Sequence, residues 1–341
     1  MRLVKWLAVI LGLAVVGGWF GVAFLIEKGA AAMLEDLRAR GTTLESSAPE
    51  VGGFPLEWRL GLTGLRLADP VSGAGWQGPS LALRAATWAP WHLTADLPDA
   101  QVISTPGLVL TLDSRALVAT LGSAPDPALP LREATLRGDS LRVQSDAGWV
   151  LALGGFDITL AADDTRPPGA YSLTFDLAPL TPDPALAEAL AQVALPDLPA
   201  PDFPASLDRL EGRLALRFAG PVGLIDETAP PLEAIEIAAA DAAWGQLALH
   251  AEGLLEADAQ GFAAGRVMLR LTNWDRLPAL LVALGAIKPE IAPTIAGGLR
   301  AMAAQSPDPA VLALPLDMRD GRMTLGPFPL GEAPRLRPPE S

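Results

Sequence analysis

A two-residue alternation of apolar and polar side chains is the feature that most constrains the fold of this 341-residue chain. From Tyr171 to Leu177, apolar residues alternate with Ser, Thr and Asp, and residues 156–160, 213–218 and 266–271 repeat the pattern. Successive side chains of a strand point to opposite faces of its sheet, so each segment has one apolar and one more polar face. The sequence therefore predicts a mainly β, antiparallel fold, either a curved sheet or a sandwich, with a few helices.

Two regions depart from this alternation and predict helices. Residues 183–194 indicate a short helix with Pro near its start. Residues 276–287 and 290–304 indicate two apolar helices that cap one end or face of the sheet. The break between them falls at Pro289, because Pro has no backbone N–H to donate within a helix.

The N-terminal segment from Trp6 to Ile26 contains 21 residues and no charge. A helix of that length crosses a hydrocarbon core about 30 Å thick. Arg2 and Lys5 precede it, so the positive-inside rule predicts a cytoplasmic N-terminus and a body in an extracytoplasmic space behind a single transmembrane helix. A cleaved signal peptide is the alternative, with a small-x-small site at residues 30–32.

The predicted organisation combines these segments with a Pro-rich, extended connection. In chain order it comprises the cytoplasmic N-terminus and transmembrane anchor (1–28), a stalk helix and linker (29–52), a first β-rich half (53–194), the Pro-rich connection (195–204), a second β-rich half with the two apolar helices (205–331) and a tail (332–341).

Composition and motifs predict a protein that is not an enzyme. The formal charge of −14 argues against nucleic acid as a partner, because phosphate binding needs basic side chains. The chain has no Cys, two His and one Tyr, which leaves few groups for metal binding or for acid–base chemistry near neutral pH. No phosphate-binding loop, dinucleotide fingerprint or nucleophile elbow occurs. We therefore expect no catalytic, metal or cofactor site.

The apolar strand positions are the candidate binding surface. Because apolar residues alternate with more polar ones along these strands, the apolar residues of a strand share one face. We expect an acyl chain of a membrane lipid to contact a set of inward-facing apolar residues. The set comprises Leu173, Phe175, Leu216, Phe218 and Leu269. The core of a closed sandwich is an equally good interpretation of the same positions. The Trp residues of the body likewise indicate either core anchors or side chains at a groove or a membrane interface.

Three segments together resemble a known family. They are Gly53–Trp58 (GFPLEW), Leu271–Asp275 (LTNWD) and Asp320–Gly331 (DGRMTLGPFPLG). Over nearly its whole length the chain resembles the domain-of-unknown-function 2125 family of bacterial envelope proteins. The last segment is also similar to endings in the AsmA-like group, whose members have an inner-membrane anchor, a periplasmic β-rich body and β-grooves implicated in lipid movement.

The resemblance implies an envelope protein and supplies no catalytic residues. It implies lipid binding or handling, or a part in cell-envelope homeostasis. The alternative is a structural or assembly factor that docks onto another envelope protein. The two hypotheses differ in whether the apolar strand faces stay open or are packed against each other.

Overall fold

A computed structural model describes residues 28, 43–70, 73–177, 179–193, 195, 202–224, 226, 229–285, 287–304, 306, 308–326 and 328–337. Within them the chain is mainly antiparallel β with three α-helices, which confirms the predicted fold class. No helix in these ranges is both long and apolar enough to cross a membrane. The predicted transmembrane segment, residues 6–26, lies outside the described residues and stays a prediction.

The chain divides into two compact units. Unit 1 comprises residues 1–125 and 136–148, and unit 2 comprises residues 126–135 and 149–341. The strands of unit 1 are β1 (Thr43–Glu45), β2 (Glu50–Gly52), β3 (Glu57–Ala68), β4 (Gly75–Ala86), β5 (Ala89–Asp96), β6 (Ala100–Thr105), β7 (Leu108–Arg115), β8 (Val118–Ser123) and β10 (Ser140–Ser145). Strand β9 (Leu131–Gly138) has residues in both units.

Unit 1 is built around the long β3–β4 hairpin. Strands β1 and β2 pair with the free edge of β3, whereas β4 forks, pairing with β5 near one end and with β6 near the other. The apolar positions of β3 change parity at Gly64, so that Leu62 and Leu65 are both buried. Gly64 has φ +62°, in the left-handed region that favours Gly, and the pairing with β4 keeps its register. Gly64 therefore marks a bend in the hairpin and not a β-bulge.

Unit 2 is one ladder of antiparallel strands joined mostly in chain order. The ladder runs β9-β12-β13-β15-β16-β17-β18-β19-β20-β21, and β11 pairs with β14 beside it. Its strands are β11 (Val150–Leu153), β12 (Phe156–Ala162), β13 (Ala170–Asp176), β14 (Leu180–Thr181), β15 (Arg209–Phe218), β16 (Leu232–Trp244), β17 (Leu247–Ala257), β18 (Ala263–Thr272), β19 (Val311–Arg319), β20 (Arg322–Leu325) and β21 (Phe328–Glu332). Among the described residues, β21 does not pair back to β9, so the ladder is open.

The helices lie close to the predicted positions. Helix α1 (Pro184–Gln192) begins after Asp183, whose carboxylate accepts a hydrogen bond from the Ala185 N–H at 2.7 Å. Helices α2 (Leu277–Ala283) and α3 (Ala292–Ala303) follow β18, after a 3-10 turn at Trp274–Arg276. Helix α3 buries a stripe of small and aliphatic residues, Ala292, Ala296, Leu299 and Ala303, of which Leu299 and Ala303 pack with Leu271, Leu312 and Leu314 of the sheet.

Three of the predicted boundaries differ from the structure. The halves 53–194 and 205–331 do not separate, because β13 from the first pairs along its whole length with β15 from the second. Residues 43–52, at the end of the predicted linker, include strands β1 and β2 of unit 1, and Leu44 of β1 is buried. The start of the predicted tail packs on the sheet through Ala333, which is 4% exposed.

Candidate functional site

One face of the unit 2 ladder is apolar from β12 to β20. Cross-strand register places apolar side chains in rows, such as Leu160, Leu173, Leu214 and Ile237 on four successive strands. The row continues through Gly253 and Val267 to Leu316. Directly opposed side chains share a face, so the row is one continuous apolar strip across the sheet.

Over β12, β13, β15 and β16 these side chains are only half-buried. We call this set the open apolar face: Ile158, Leu160, Leu173, Phe175, Leu214, Leu216 and Ile235. With strands about 4.8 Å apart, its floor is about 14 Å wide. A partly exposed sheet surface of that size can accept a ligand or a partner.

Over β17, β18 and β19 the same face is covered. We call this set the covered apolar face: Ala251, Leu255, Val267, Leu269, Leu271, Leu312 and Leu314. Trp274 and helix α3 pack on one part of it, and Ala333 and Leu336 pack on the other. Leu312 and Leu314 are 1% and 0% exposed, so this half is ordinary protein core.

The structure places the five sequence-predicted groove residues differently. Leu173, Phe175 and Leu216 lie together on the open apolar face. Leu269 shares their side of the sheet but packs within the covered apolar face. Phe218 makes an edge-to-face contact with Tyr171, with ring centroids 5.7 Å apart. Three of the five candidates therefore remain together at one site.

Tyr171 closes one end of the open apolar face. Its side chain is 2% exposed, and its hydroxyl donates to the Leu131 carbonyl at 3.3 Å and accepts from the Val222 N–H at 3.0 Å. Both hydrogen-bonding capacities of the hydroxyl are thereby used. With Phe218 against its ring, Tyr171 forms a fixed wall.

Phe175 and Gly212 mark the other end. A Cβ added to Gly212 would lie 2.5 Å from the Phe175 ring, so the ring lies directly over the Gly. The register of β16 shifts on both sides near Ala238 and Ala239, which is a β-bulge beside this point. Bulges increase local twist, so the sheet bends where the Phe175 ring lies flat on it.

The opposite face of the ladder is polar and ion-paired. Arg266 lies 2.6 Å from Asp317, Arg270 lies 2.7 Å from Glu252, and His250 Nδ1 lies 2.9 Å from Asp241. The hydrogen bond to Asp317 raises the pKa of Arg266. Both partners of each pair are at least partly exposed, so these contacts contribute little to stability. An apolar ligand would therefore select the other face.

The β12–β13 turn contains a carboxylate, Asp163, that is held by local hydrogen bonds. The hydroxyl and the backbone N–H of Thr165 both donate hydrogen bonds to the Asp163 carboxylate. These hydrogen bonds lower the pKa of Asp163, and the hydroxyl has the larger effect. This is the ordinary chemistry of a tight turn. Within the described residues, no group of three or more His, Asp or Glu side chains is arranged to hold a metal ion.

Sequence reasoning missed four members of the open apolar face as site residues. They are Ile158, Leu160, Leu214 and Ile235. Their signal was present, because each lies on the apolar parity of its strand, as the chosen residues do. It was not decisive, since the covered apolar face has the same alternation.

The Trp residues divide between the two interpretations left open above. Three are buried as core anchors: Trp58, Trp244 and Trp274. Trp88 and Trp149 are 69% and 40% exposed. Trp88 lies in unit 1, and its exposure needs another explanation than core packing.

The chain belongs to the bacterial family described as "Uncharacterized protein conserved in bacteria (DUF2125)", whose model matches residues 19–334. No curated protein and no solved structure matches the chain. The family description assigns no activity, so any function has to be argued from the surfaces described above.

Proposed function

We propose that this member of the DUF2125 family binds the acyl chain of a membrane lipid on the open apolar face. In this proposal the protein is a non-enzymatic lipid-handling or envelope-homeostasis factor, anchored in the inner membrane by residues 6–26 with its body in the periplasm. The observation that carries the proposal is that one sheet face is covered over β17–β19 by Trp274, helix α3 and residues 333–336 and is left half-buried over β12–β16.

The chemistry of the open apolar face suits a hydrocarbon chain. Its members are Ile, Leu and Phe, and sites for apolar ligands are lined mainly by such side chains. For a lipid outside the bilayer, each methylene that the face removes from water contributes about 0.8 kcal/mol, so the face would shield an acyl chain from water. The charged side chains lie on the opposite face, so the chain rather than the headgroup is the part recognised.

Photo-crosslinking in the full-length, membrane-anchored protein tests the proposal. A benzophenone side chain is introduced at Leu173 or Leu216 in living cells, and adducts are identified by mass spectrometry. Thr174 is the matched control, because it is exposed and lies on the opposite face of the same strand. We expect lipid adducts at positions 173 and 216 and none at 174.

Two results would remove the proposal. Adducts of one envelope protein at 173 and 216 would assign the open apolar face to docking. Equal lipid labelling at 173 and 174 would mean that the body touches lipid without a site.

A further inference from the structure

Three large apolar side chains are exposed together at one end of unit 1. Phe54, Leu56 and Trp88 are 45%, 65% and 69% exposed. Phe54 and Leu56 belong to the turn before β3, and Trp88 belongs to the turn between β4 and β5. We call these three residues the apolar tip. Such a cluster on a protein surface marks an interaction site.

The apolar tip is held rigidly by backbone hydrogen bonds. The Thr87 N–H donates to the Leu56 carbonyl at 3.1 Å, and the Thr87 hydroxyl donates to the Pro55 carbonyl at 2.9 Å. Gly53 begins the turn with φ +95°, and a Cβ there would lie 2.7 Å from the Glu57 carbonyl oxygen. The two turns are therefore joined, and they project their apolar side chains as one unit.

Charges near the apolar tip are paired. Arg84 donates to both carboxylate oxygens of Asp96, at 2.8 and 2.6 Å, and Arg59 contacts Glu57. The recess of about 570 Å³ beside the tip is lined by Arg84, Trp88 and other residues of the two turns. Little net charge remains to attract an ionic partner, so an occupant has to be held by apolar contact.

The position of the chain's entry into unit 1 identifies the occupant. Thr43 pairs with Ala68, which lies at the end of β3 away from the apolar tip. At about 3.3 Å per residue, the length of β3 puts this pair about 36 Å from the apolar tip. Residues 27–42 follow the predicted transmembrane segment, and as the predicted stalk helix they span about 24 Å at about 1.5 Å per residue. That reach is shorter than β3, so the apolar tip touches the bilayer in which the chain is anchored when β3 is inclined to that bilayer.

We propose that the apolar tip inserts into the interface of that bilayer and gives unit 1 a second membrane contact. Trp prefers the membrane–water interface, and Phe and Leu extend into the acyl region. Because the charges near the apolar tip are paired with each other, insertion of the apolar tip into the bilayer does not require anionic lipid. The proposal concerns unit 1 alone and does not depend on lipid binding at the open apolar face. It relies on the predicted anchor only for which bilayer is contacted.

Site-directed spin labelling tests the proposal, because the chain has no Cys and each introduced thiol is unique. Full-length Trp88→Cys and Leu56→Cys carry a nitroxide in phosphatidylcholine vesicles. Asp113→Cys, exposed on β7 between the two ends of unit 1, is the control. The collision rate of each nitroxide with oxygen, which is concentrated in the bilayer, is compared with its collision rate with a water-soluble nickel chelate.

We expect labels at 88 and 56 to favour oxygen and to lie about 5–10 Å deep, with the label at 113 in water. Adding Phe54→Ser to Trp88→Cys should move the label at 88 outward, and raised salt should leave it in place. A label at 88 as accessible to nickel as the label at 113 would overturn the proposal. A label at 88 shielded from both reagents would overturn it too, since that result means a protein partner.

Discussion

The open and covered apolar faces of unit 2 have the same strand pattern and different surroundings. Over β17–β19 most of the apolar side chains are buried, and Leu312 and Leu314 on β19 are 1% and 0% exposed beside Trp274 and helix α3. Over β12–β16 they stay half-buried, on strands of similar length and alternation. The difference teaches that alternation selects which side chains share a face, whereas exposure depends on which segments return to cover it.

The composition of the cover explains why it fits so closely. Helix α3 packs on the sheet through Leu299 and Ala303, on the buried side of an amphipathic helix. Ala333 and Leu336 complete the cover over β17 and β18. The strands of the open apolar face receive no comparable helix stripe among the described residues.

Charge insertion should produce the largest difference between the two faces. Leu314→Glu places an unpaired carboxylate at a 0% exposed position, so we expect at least about 4 kcal/mol of destabilisation and loss of the fold. Leu173→Glu, on the open apolar face, should cost about 1–2 kcal/mol, because the carboxylate can reach water. Urea unfolding followed by Trp fluorescence measures both.

The matched control for charge insertion is Leu254→Glu. Leu254 is 46% exposed on the polar face of β17, so its substitution should be nearly neutral. Equal losses for Leu173→Glu and Leu314→Glu would show that the open apolar face is closed core in solution, and the lipid proposal would lose its basis.

Glycine substitution should produce a difference in stability between the two faces that is smaller than the difference for charge insertion. A Cβ at Gly253 would lie 2.3 Å from the Arg266 carbonyl oxygen, so Gly253→Ala must separate β17 from β18, at a cost of about 2–3 kcal/mol. At Gly212 the nearest obstacle is the Phe175 ring, which can swing away, so Gly212→Ala should cost about 1 kcal/mol. Thermal unfolding compares them, and a larger loss at Gly212 would contradict this account.

Gly212→Ala should also change the open apolar face itself. A displaced Phe175 ring would reshape the end of the face, so we expect less lipid crosslinking at position 173. Gly253→Ala, examined below its unfolding temperature, should leave crosslinking at 173 unchanged.

The smallest effect is expected at the β12–β13 turn. Thr165→Val removes the side-chain hydrogen bond that lowers the pKa of Asp163, so that pKa should rise toward its ordinary value. Because the folded pKa is depressed, the carboxylate stabilises the fold above about pH 4 and loses this effect as the pH falls through the folded pKa. Thr165→Val should therefore be less stable to unfolding than the parent at neutral pH and as stable as the parent in strong acid.

An NMR titration of the Asp163 carboxyl carbon checks the direction of the shift. Thr165→Ser is the matched control, since it retains a hydroxyl at that position. An unchanged pKa of Asp163 in Thr165→Val would show that the hydroxyl does not make this contact in solution.

The sequence by itself determined the strand character of the chain and the face to which most side chains point. Alternation is a local property, because consecutive side chains of a strand point in opposite directions whatever the rest of the chain does. It therefore placed Leu173 and Phe175 on one face of β13, and Leu216 and Phe218 on one face of β15. The helices at 184–192, 277–283 and 292–303 were predictable from local signals of the same kind.

Only the tertiary structure decided which apolar positions are covered and where the chain divides. Leu173 and Leu271 each lie between polar neighbours, and they differ in burial because helix α3 returns to the sheet beside Leu271. The pairing of β13 with β15 joined segments that the Pro-rich connection seemed to separate. Such contacts join residues far apart in the chain, and a local pattern carries no information about which distant segment packs against it.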